Sequence, residues 1–117
     1  MSRKIGSNFE LVAQEYLKKR GYKIVAANVT YGFGELDIIA KDKETLVFIE
    51  VKYRSRTEMC SPFEAVTKAK QKKIIKAAEA YLQKITPIPF CRFDVISVAG
   101  NPEHPEIEHL IDAFWTE

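Results

Sequence analysis

The chain has 117 residues, of which 46% are hydrophobic and 29% are charged, and its formal net charge is +2. This length predicts a single domain with a sizeable core, and the composition is that of a soluble globular protein rather than a disordered one. No apolar run approaches the ~20 residues of a membrane span, and no apolar segment follows the charged N-terminus, so neither a membrane anchor nor a signal peptide is expected. The two cysteines, Cys60 and Cys91, match no metal-binding spacing and, as free thiols, predict a reducing, cytoplasmic setting.

The first predicted element is a helix that begins after Asn8 as its N-cap, runs to about Arg20, and ends at Gly21. One apolar stripe at helical spacing defines its buried side: Phe9, Val12, Ala13, Tyr16 and Leu17. Glu10 lies at the edge of this stripe. Because the helix dipole favours an acid near the helix start, a solvated role for Glu10 alone is the commoner interpretation.

Three strands with short turns between them follow, and they predict an antiparallel meander. Their predicted ranges are Tyr22–Val29, Glu35–Lys41 and Leu46–Lys52. In the second strand, alternation places Asp37 and Ile39 on one face and Leu36, Ile38 and Ala40 on the other. Aspartate is disfavoured inside strands, so Asp37 needs a specific reason to be there.

The third strand begins as a buried strand and ends with two charges. Strand alternation puts Glu50 and Lys52 on the same face as Leu46 and Phe48, while the opposite face is wholly apolar. Taken alone, this pattern favours a strand that runs out into solvent. If the charges are buried, they need a partner, a metal or a ligand.

A second helix is predicted to end near Ile85, with either Ser61 or Thr67 as its N-cap. Lys70 lies four residues from both Val66 and Ile74, within the apolar stripe, so it should bury its stem and direct its ammonium group at something negative. The neighbouring lysines are by default a solvated face: Lys68, Lys72, Lys73 and Lys76.

A fourth strand is predicted over Cys91–Val98, beside and parallel to the third, because a strand, a helix and a strand in this order favour a parallel crossover. Asp94 is expected to be a structural partner of a nearby arginine or lysine. The tail is predicted to hold a short strand near Ile107 to Leu110 and then a frayed or helical end. Two aromatic residues of that end are expected to pack on the body: Phe114 and Trp115.

Asp37 and Glu50 come from adjacent strands and are expected to converge on one point. Two close carboxylates repel each other unless a cation lies between them, and Mg²⁺ prefers a few carboxylate oxygens together with waters and phosphate oxygens. The backbone carbonyl of Val51 is a further candidate ligand. Lys52 could orient or deprotonate the attacking water and offset charge in the transition state. The pattern therefore predicts Mg²⁺- or Mn²⁺-dependent attack of water on a phosphodiester.

Other charged residues could complete such a site. Glu10 could approach from the first helix and Lys70 from the second, where it could touch a phosphate. Basic residues beside a metal site fit a polyanionic substrate, so nucleic-acid contacts are assigned to Arg54, Arg56, Lys70 and Lys73.

With these residues in place, the chain resembles the small bacterial YraN-like family, which is assigned to the PD-(D/E)XK nuclease superfamily. The residues that carry the resemblance cover nearly the whole chain: Glu10, Gly21-Tyr22, Asn28, Gly34-Glu35-Leu36-Asp37, Phe48-Ile49-Glu50-Val51-Lys52, Arg54, Ala65-Val66-Thr67 to Lys70, and Arg92-Phe93-Asp94-Val95. Leu36 stands where the superfamily name has proline, and Phe9 precedes Glu10 where related sequences usually carry glycine.

The resemblance implies an α/β, restriction-endonuclease-like αβββαβ core with a mixed sheet of four to five strands flanked by helices. It implies Asp37 and Glu50 as metal ligands, Lys52 as the catalytic lysine, Glu10 as the acid of the first helix and Lys70 as the phosphate-side residue. For Glu35, a ligand role and a turn-edge role both stay open. Resolvases of related fold act as symmetric dimers, so a homodimer also stays open.

The sequence pattern is compatible with three functions. The leading hypothesis is a Mg²⁺- or Mn²⁺-dependent endonuclease acting on DNA, with branched or damaged DNA as its narrower form. The second is a non-catalytic nucleic-acid-binding or adaptor protein in a DNA-processing assembly, which would not need a complete set of Asp37, Glu50 and Lys52. The third, a buried ion network, ranks last because such networks add little net stability.

Overall fold

The computed structural model describes residues 2–54, 66–101 and 103–115, with side chains from Asn8 onward. The predicted order of a helix, three strands, a helix and a strand is confirmed, and one more strand follows. The elements are α1 (Ser2–Lys19), β1 (Lys23–Tyr31), β2 (Gly34–Asp42), β3 (Thr45–Arg54), α2 (Lys68–Leu82), β4 (Cys91–Asn101) and β5 (His104–Phe114).

The five strands form one mixed sheet in the order β1-β2-β3-β4-β5. Strands β1, β2 and β3 are antiparallel neighbours, β3 and β4 are parallel, and β5 returns antiparallel to β4. The parallel pairing across α2 is as predicted, because a helical connection is what allows two successive strands to run in the same direction. This α/β architecture is consistent with a restriction-endonuclease-like core.

Two apolar clusters cover the two faces of the sheet. The cluster on the α1 face includes Phe9, Ala13, Leu17, Ile38, Val47, Ile49, Ile96 and Val98. The cluster on the α2 face includes Leu36, Ile39, Phe48, Val66, Ile74, Ala77, Phe93 and Val95. Strand β3 is therefore buried on both sides, which matches its continuous apolar run.

The predicted alternation along β2 is wrong at one residue. Leu36 packs on the α2 face, whereas Ile38 packs on the α1 face. Strand β1 is irregular beside β2, because its register shifts between Ile24 and Ala26 and Asn28 adopts a left-handed conformation with φ of 54°. Strict two-residue alternation holds only for a regularly pleated pair of strands, so it is not a safe guide here.

The helix boundaries differ from the predicted ones. Helix α1 begins at Ser2, before the predicted cap at Asn8, and α2 ends at Leu82 rather than Ile85. Thr67 is confirmed as the N-cap of α2, because its Oγ1 accepts a hydrogen bond from the backbone N–H of Lys70 at 3.1 Å. The alternative helix start at Ser61 falls outside the described residues. Of the helices that the structure describes, none combines the length and apolar character needed to span a bilayer.

Helix α2 comes very close to the start of β2. A Cβ atom at Gly34 would lie 3.0 Å from the backbone carbonyl oxygen of Lys73. Such a contact is tighter than ordinary packing, so the glycine lets the helix backbone approach the strand directly. The contact fixes α2 beside the part of β2 that carries Asp37.

The prediction for the C-terminal tail is wrong in its element type. Residues His104 to Phe114 form one long edge strand that pairs with β4, rather than a short strand with a helical end. Phe114 is buried in the α2-side cluster, as predicted. Trp115, however, is 65% exposed. The prediction that Trp115 packs on the body is therefore wrong. Polar and apolar residues are mixed in the tail, so its conformation depends on pairing with β4 and not on its own pattern.

Candidate active site

The structure brings Asp37 and Glu50 together at the point where the pairing of β2 and β3 ends. The last paired residues are Ile38 and Ile49, and the two acids are the next residues on their strands. Both carboxyl side chains are buried, at 7% exposure each, and they share a hydrogen bond. Two hydrogen-bonded buried carboxyl groups on adjacent strands form the centre of the candidate site.

The carboxylate of Asp37 is held by the backbone of β3. Its Oδ2 accepts a hydrogen bond from the backbone N–H of Val51 at 2.9 Å. In a strand, the N–H and C=O groups of one residue point to the same neighbouring strand. The carbonyl of Val51, predicted as a ligand, therefore points from β3 towards β2, the strand that carries Asp37.

The pKa of Glu50 is raised to about 8. Burial is the largest cause, followed by the hydrogen bond to Asp37 and the negative charge of Asp37, while the charges of Lys70 and Lys52 oppose the shift. Glu50 therefore holds its proton to a higher pH than an ordinary glutamate does, because it is buried beside Asp37. A cation placed between the two groups would take over the role of this proton.

This raised pKa predicts that the metal-free protein loses stability as the pH rises. Below pH 4.5, the ordinary pKa of a glutamate here, Glu50 is protonated in both the folded and the unfolded chain. Between pH 4.5 and about 8, the unfolded chain releases this proton but the folded one keeps it, so the free energy of unfolding falls, by at most about 1.4 kcal/mol per pH unit. Replacing Glu50 by Gln removes the ionisable group and leaves an amide that can donate to Asp37. At pH 8 in EDTA, Glu50→Gln should therefore be about 1–2 kcal/mol more stable than the wild type.

Urea denaturation at pH 5, 6.5 and 8 measures the difference. The matched control is Glu44→Gln, because Glu44 is an exposed acid in the turn between β2 and β3. The control should follow the wild type at every pH. A Glu50→Gln profile parallel to that of the wild type would contradict the raised pKa.

Glu10 approaches the acid pair from α1. Its pKa is raised by partial burial and by the charge of Asp37, while a hydrogen bond with Asn28 lowers it and the charge of Glu35 raises it further. The predicted approach of Glu10 and Glu35 to this end of the sheet is thus visible in the electrostatics. Across the described ranges, however, no three His, Cys, Asp or Glu side chains gather closely enough to hold a metal ion by themselves. Glu10 is therefore close enough to Asp37 for the two charges to interact, and it is not part of a closed set of ligands among the described residues.

Two lysines face Glu50, and both lower its pKa through their charge. Lys52 is half-buried at the end of β3, two residues beyond Glu50 on the same strand. Lys70 comes from the first turn of α2 and is exposed, so the prediction that its stem lies in the apolar stripe is wrong. Gln71 holds that buried position, and its Nε2 donates to the carbonyl of Val66 at 3.0 Å. The reason is that the helix begins at Lys68, so Val66 lies before it and the spacing of four residues from Val66 to Lys70 is not a helical one.

The other predicted nucleic-acid contacts are spread around this centre. Arg54 is half-buried at the end of β3, and Lys73 is exposed on α2 next to Gly34. Arg56 lies outside the residues that the structure describes. Arg54 and Lys73 therefore flank the site on two different elements.

Two features of the surroundings were not assigned roles from the sequence. Asn28 occupies a left-handed position on β1 and hydrogen bonds to Glu10. Asparagine tolerates this conformation better than most residues, but no spacing pattern indicates where it occurs. The second feature is a buried polar cluster around Asp94, which is paired with Arg92 at 3.0 Å as predicted and also with His109 at 2.7 Å.

The chain is similar to known proteins along nearly its whole length. The model of the family described as "Uncharacterised protein family UPF0102" matches residues 9–98. A UPF0102 protein of Chlorobium limicola is 47% identical over 120 residues, which cover 97% of this chain and 93% of the relative. A UPF0102 protein of Symbiobacterium thermophilum is 44% identical over 88% of each chain, and one of Coxiella burnetii is 39% identical over 96% of this chain and 95% of the relative. The family resemblance noted in the sequence is confirmed, and the chain belongs to the protein family UPF0102.

Proposed function

We propose that this protein is a Mg²⁺- or Mn²⁺-dependent endonuclease that hydrolyses phosphodiester bonds in DNA. The observation that carries the proposal is the buried pair of Asp37 and Glu50, with Lys52 and Lys70 facing it. Its membership of the PD-(D/E)XK nuclease superfamily is part of the same proposal. The superfamily pattern would place the two acids and Lys52 in the roles that the sequence predicts.

The donor set fits a hard divalent cation. Asp37 and Glu50 are oxygen ligands only a hydrogen bond apart, and the pKa of Glu50 is raised first by burial and then by its proximity to Asp37, both of which a bound cation would offset. The hydrogen bond from the Val51 N–H to Asp37 Oδ2 orients the Asp37 side chain that would hold the ion. Mg²⁺ uses one or two carboxylates and keeps several waters, so a third protein carboxylate is not required.

Each residue of the site would then have its own role in hydrolysis. Asp37 and Glu50 would hold the ion, with the Val51 carbonyl as a further ligand; when bound, the ion would supply Lewis-acid activation of the phosphodiester and of water. Lys52 would orient the attacking water and offset the negative charge that develops on the phosphate. Glu10 would fix water on the α1 side, and Lys70 would contact the phosphate from the α2 side.

The substrate class follows from the charges around the acid pair. Lysines and arginines on β3 and α2 favour a polyanion, and such residues contact the phosphate backbone, which is the same in every sequence. Recognition of shape or structure is therefore proposed instead of sequence readout. Branched or damaged DNA is the narrower form of this proposal.

A metal-dependent cleavage panel tests the function. The purified protein is incubated in Mg²⁺, Mn²⁺ or EDTA with single-stranded, duplex, flap and four-way DNA, and with matched RNA. Cleavage of at least one DNA substrate in Mn²⁺, and none in EDTA, is expected. Binding without cleavage on every substrate would overturn the nuclease and favour the non-catalytic adaptor.

A further inference from the structure

A groove lies between α2 and the residue that follows β5, Trp115. It has a volume of about 420 Å³, and the residues that line it are Lys68, Gln71, Lys72, Ile75, Lys76, Glu79 and Trp115. None of these groove residues belongs to the candidate active site. An exposed tryptophan beside lysines combines a ring face on which a base can stack with positive charges that attract phosphates.

The ring of Trp115 is held in place although it is 65% exposed. Its Nε1 donates a hydrogen bond to Oδ1 of Asp112 at 2.8 Å. Asp112 in turn adopts a left-handed conformation with φ of 58°, and its backbone N–H donates to the buried Asp94 at 3.0 Å. A buried carboxylate thus fixes the residue that orients an exposed ring.

A bulge in β5 makes this arrangement possible. Phe93 pairs with Phe114, but Val95, two residues later on β4, pairs with Leu110, four residues earlier on β5. The extra residues on β5 include Asp112. Bulges of this kind redirect the side chains that follow them, and here the redirected side chain is Trp115.

The groove follows α2 from Lys68 to Glu79, over which the helix rises by roughly 16 Å, at 1.5 Å per residue. Lys68 is two residues from Lys70, whose charge acts on Glu50, so the two lysines lie on different sides of the helix. The groove is therefore a surface separate from the one on which Lys70 lies.

We propose that this groove binds an unpaired strand of nucleic acid, with phosphates beside Lys68 and Lys72 and a base stacked on Trp115. The assignment of the occupant as nucleic acid rests on the proposed function, and the groove itself supplies the reason for an unpaired strand. Base faces in a duplex are covered by their neighbours, so only an unstacked base can lie against the ring of Trp115. Glu79, at the tryptophan end, repels a phosphate there and leaves that position to a base.

The fluorescence of the wild-type protein reports directly on this contact, because Trp115 is the single tryptophan of the sequence. In EDTA, where no cleavage occurs, we expect titration with a 12-nucleotide oligothymidine to quench the emission of Trp115. A blunt duplex hairpin at the same phosphate concentration should quench it several-fold less.

Two variants test the parts of the groove by anisotropy of a labelled oligothymidine. Trp115→Ala should weaken binding by about 5- to 100-fold, the range typical of one stacked base. Its control is Phe90→Ala, which removes an aromatic side chain that is 82% exposed and lies outside the groove lining. Lys72→Ala should lower the slope of log affinity against log salt by about 0.7, and Lys84→Ala, an exposed lysine of the same region outside the groove lining, should not.

The outcomes separate this inference from the proposed function. Quenching by oligothymidine with loss of affinity in Trp115→Ala supports the groove, whether or not the protein cleaves DNA. Cleavage or binding of DNA with unchanged tryptophan emission would overturn the groove and leave the nuclease standing. Equal quenching by the duplex hairpin, or by a polyglutamate peptide of equal charge, would also overturn it, in favour of duplex or acidic-peptide binding respectively.

Discussion

Replacing Asp37 by asparagine is expected to reduce Mn²⁺-dependent cleavage of DNA by about 10³-fold or more. The substitution removes one of the two carboxylates that would hold the ion, and a bound ion contributes several kcal/mol of transition-state stabilisation. Each 1.36 kcal/mol lost corresponds to a tenfold slower reaction. Asparagine keeps an oxygen that can accept the hydrogen bond from the Val51 N–H, which lies 2.9 Å from Oδ2 of Asp37. The fold should therefore survive the change.

Calorimetry with Mn²⁺ at pH 8 separates loss of the metal from loss of the fold. The wild type should bind the ion and Asp37→Asn should not, while the two proteins give the same far-ultraviolet circular dichroism. Glu44→Gln, which removes an exposed acid far along the strand from Asp37, is the charge-matched control and should bind and cleave as the wild type does. Full cleavage by Asp37→Asn would exclude Asp37 as a metal ligand and with it the proposed mechanism.

The placement of Asp37 beside Glu50 could be anticipated from the sequence because it depends on local rules. Two strands joined by a short turn must pair antiparallel, and the turn fixes which residues lie opposite each other. The apolar runs beside the two acids define the strand limits well enough to predict that Asp37 and Glu50 lie opposite each other on neighbouring strands. The identities of the metal and the substrate do not follow from such rules.

The details that sequence reasoning missed depend on contacts between distant segments. Leu36 on β2 leaves the expected face beside a strand, β1, that has a register shift and a left-handed Asn28, and such backbone irregularities leave no periodic signal in the sequence. Gln71 is buried in place of Lys70 because the helix begins only at Lys68 and the Gln71 amide donates a hydrogen bond to the carbonyl of Val66, which precedes the helix. Both cases are tertiary effects that override a local pattern.

The long edge strand β5 was missed for a related reason. Its residues alternate weakly, and its pairing partner β4 is the element that organises it. The same pairing carries Asp112 and His109 to Asp94, so the buried polar cluster could not be seen in any one segment. Sequence reasoning found one member of the cluster, Asp94, and one partner, an arginine, because these two are close in the chain.

Replacing Asp94 by alanine is expected to lower the free energy of unfolding by about 3–5 kcal/mol, the cost of removing one partner from a buried ion pair. Asp94 is fully buried, and it accepts hydrogen bonds from Arg92 Nε at 3.0 Å, His109 Nε2 at 2.7 Å and the Asp112 N–H at 3.0 Å. Burial alone would raise the pKa of this carboxyl, but the hydrogen bonds from His109, Arg92 and Asp112 outweigh it and hold the pKa below its ordinary value of 3.8. The charged form is thus the one that the fold stabilises, and alanine would leave all three donors without their acceptor.

Urea denaturation at pH 7 measures this loss, and Asp42→Asn is the matched control. Asp42 pairs with the same Arg92 at 3.0 Å, but its side chain is 34% exposed, so its loss should cost about 1 kcal/mol or less. Because the pKa of Asp94 is lowered, its contribution to stability is present above pH 3.8 and is lost as the pH falls through the lowered value. The wild type should therefore lose stability in that acid range and Asp94→Ala should lose less. If the two substitutions lowered the free energy of unfolding at pH 7 by the same amount, Asp94 would contribute no more than an exposed ion pair does. In that case Asp94 would not hold Asp112 and the ring of Trp115 in place.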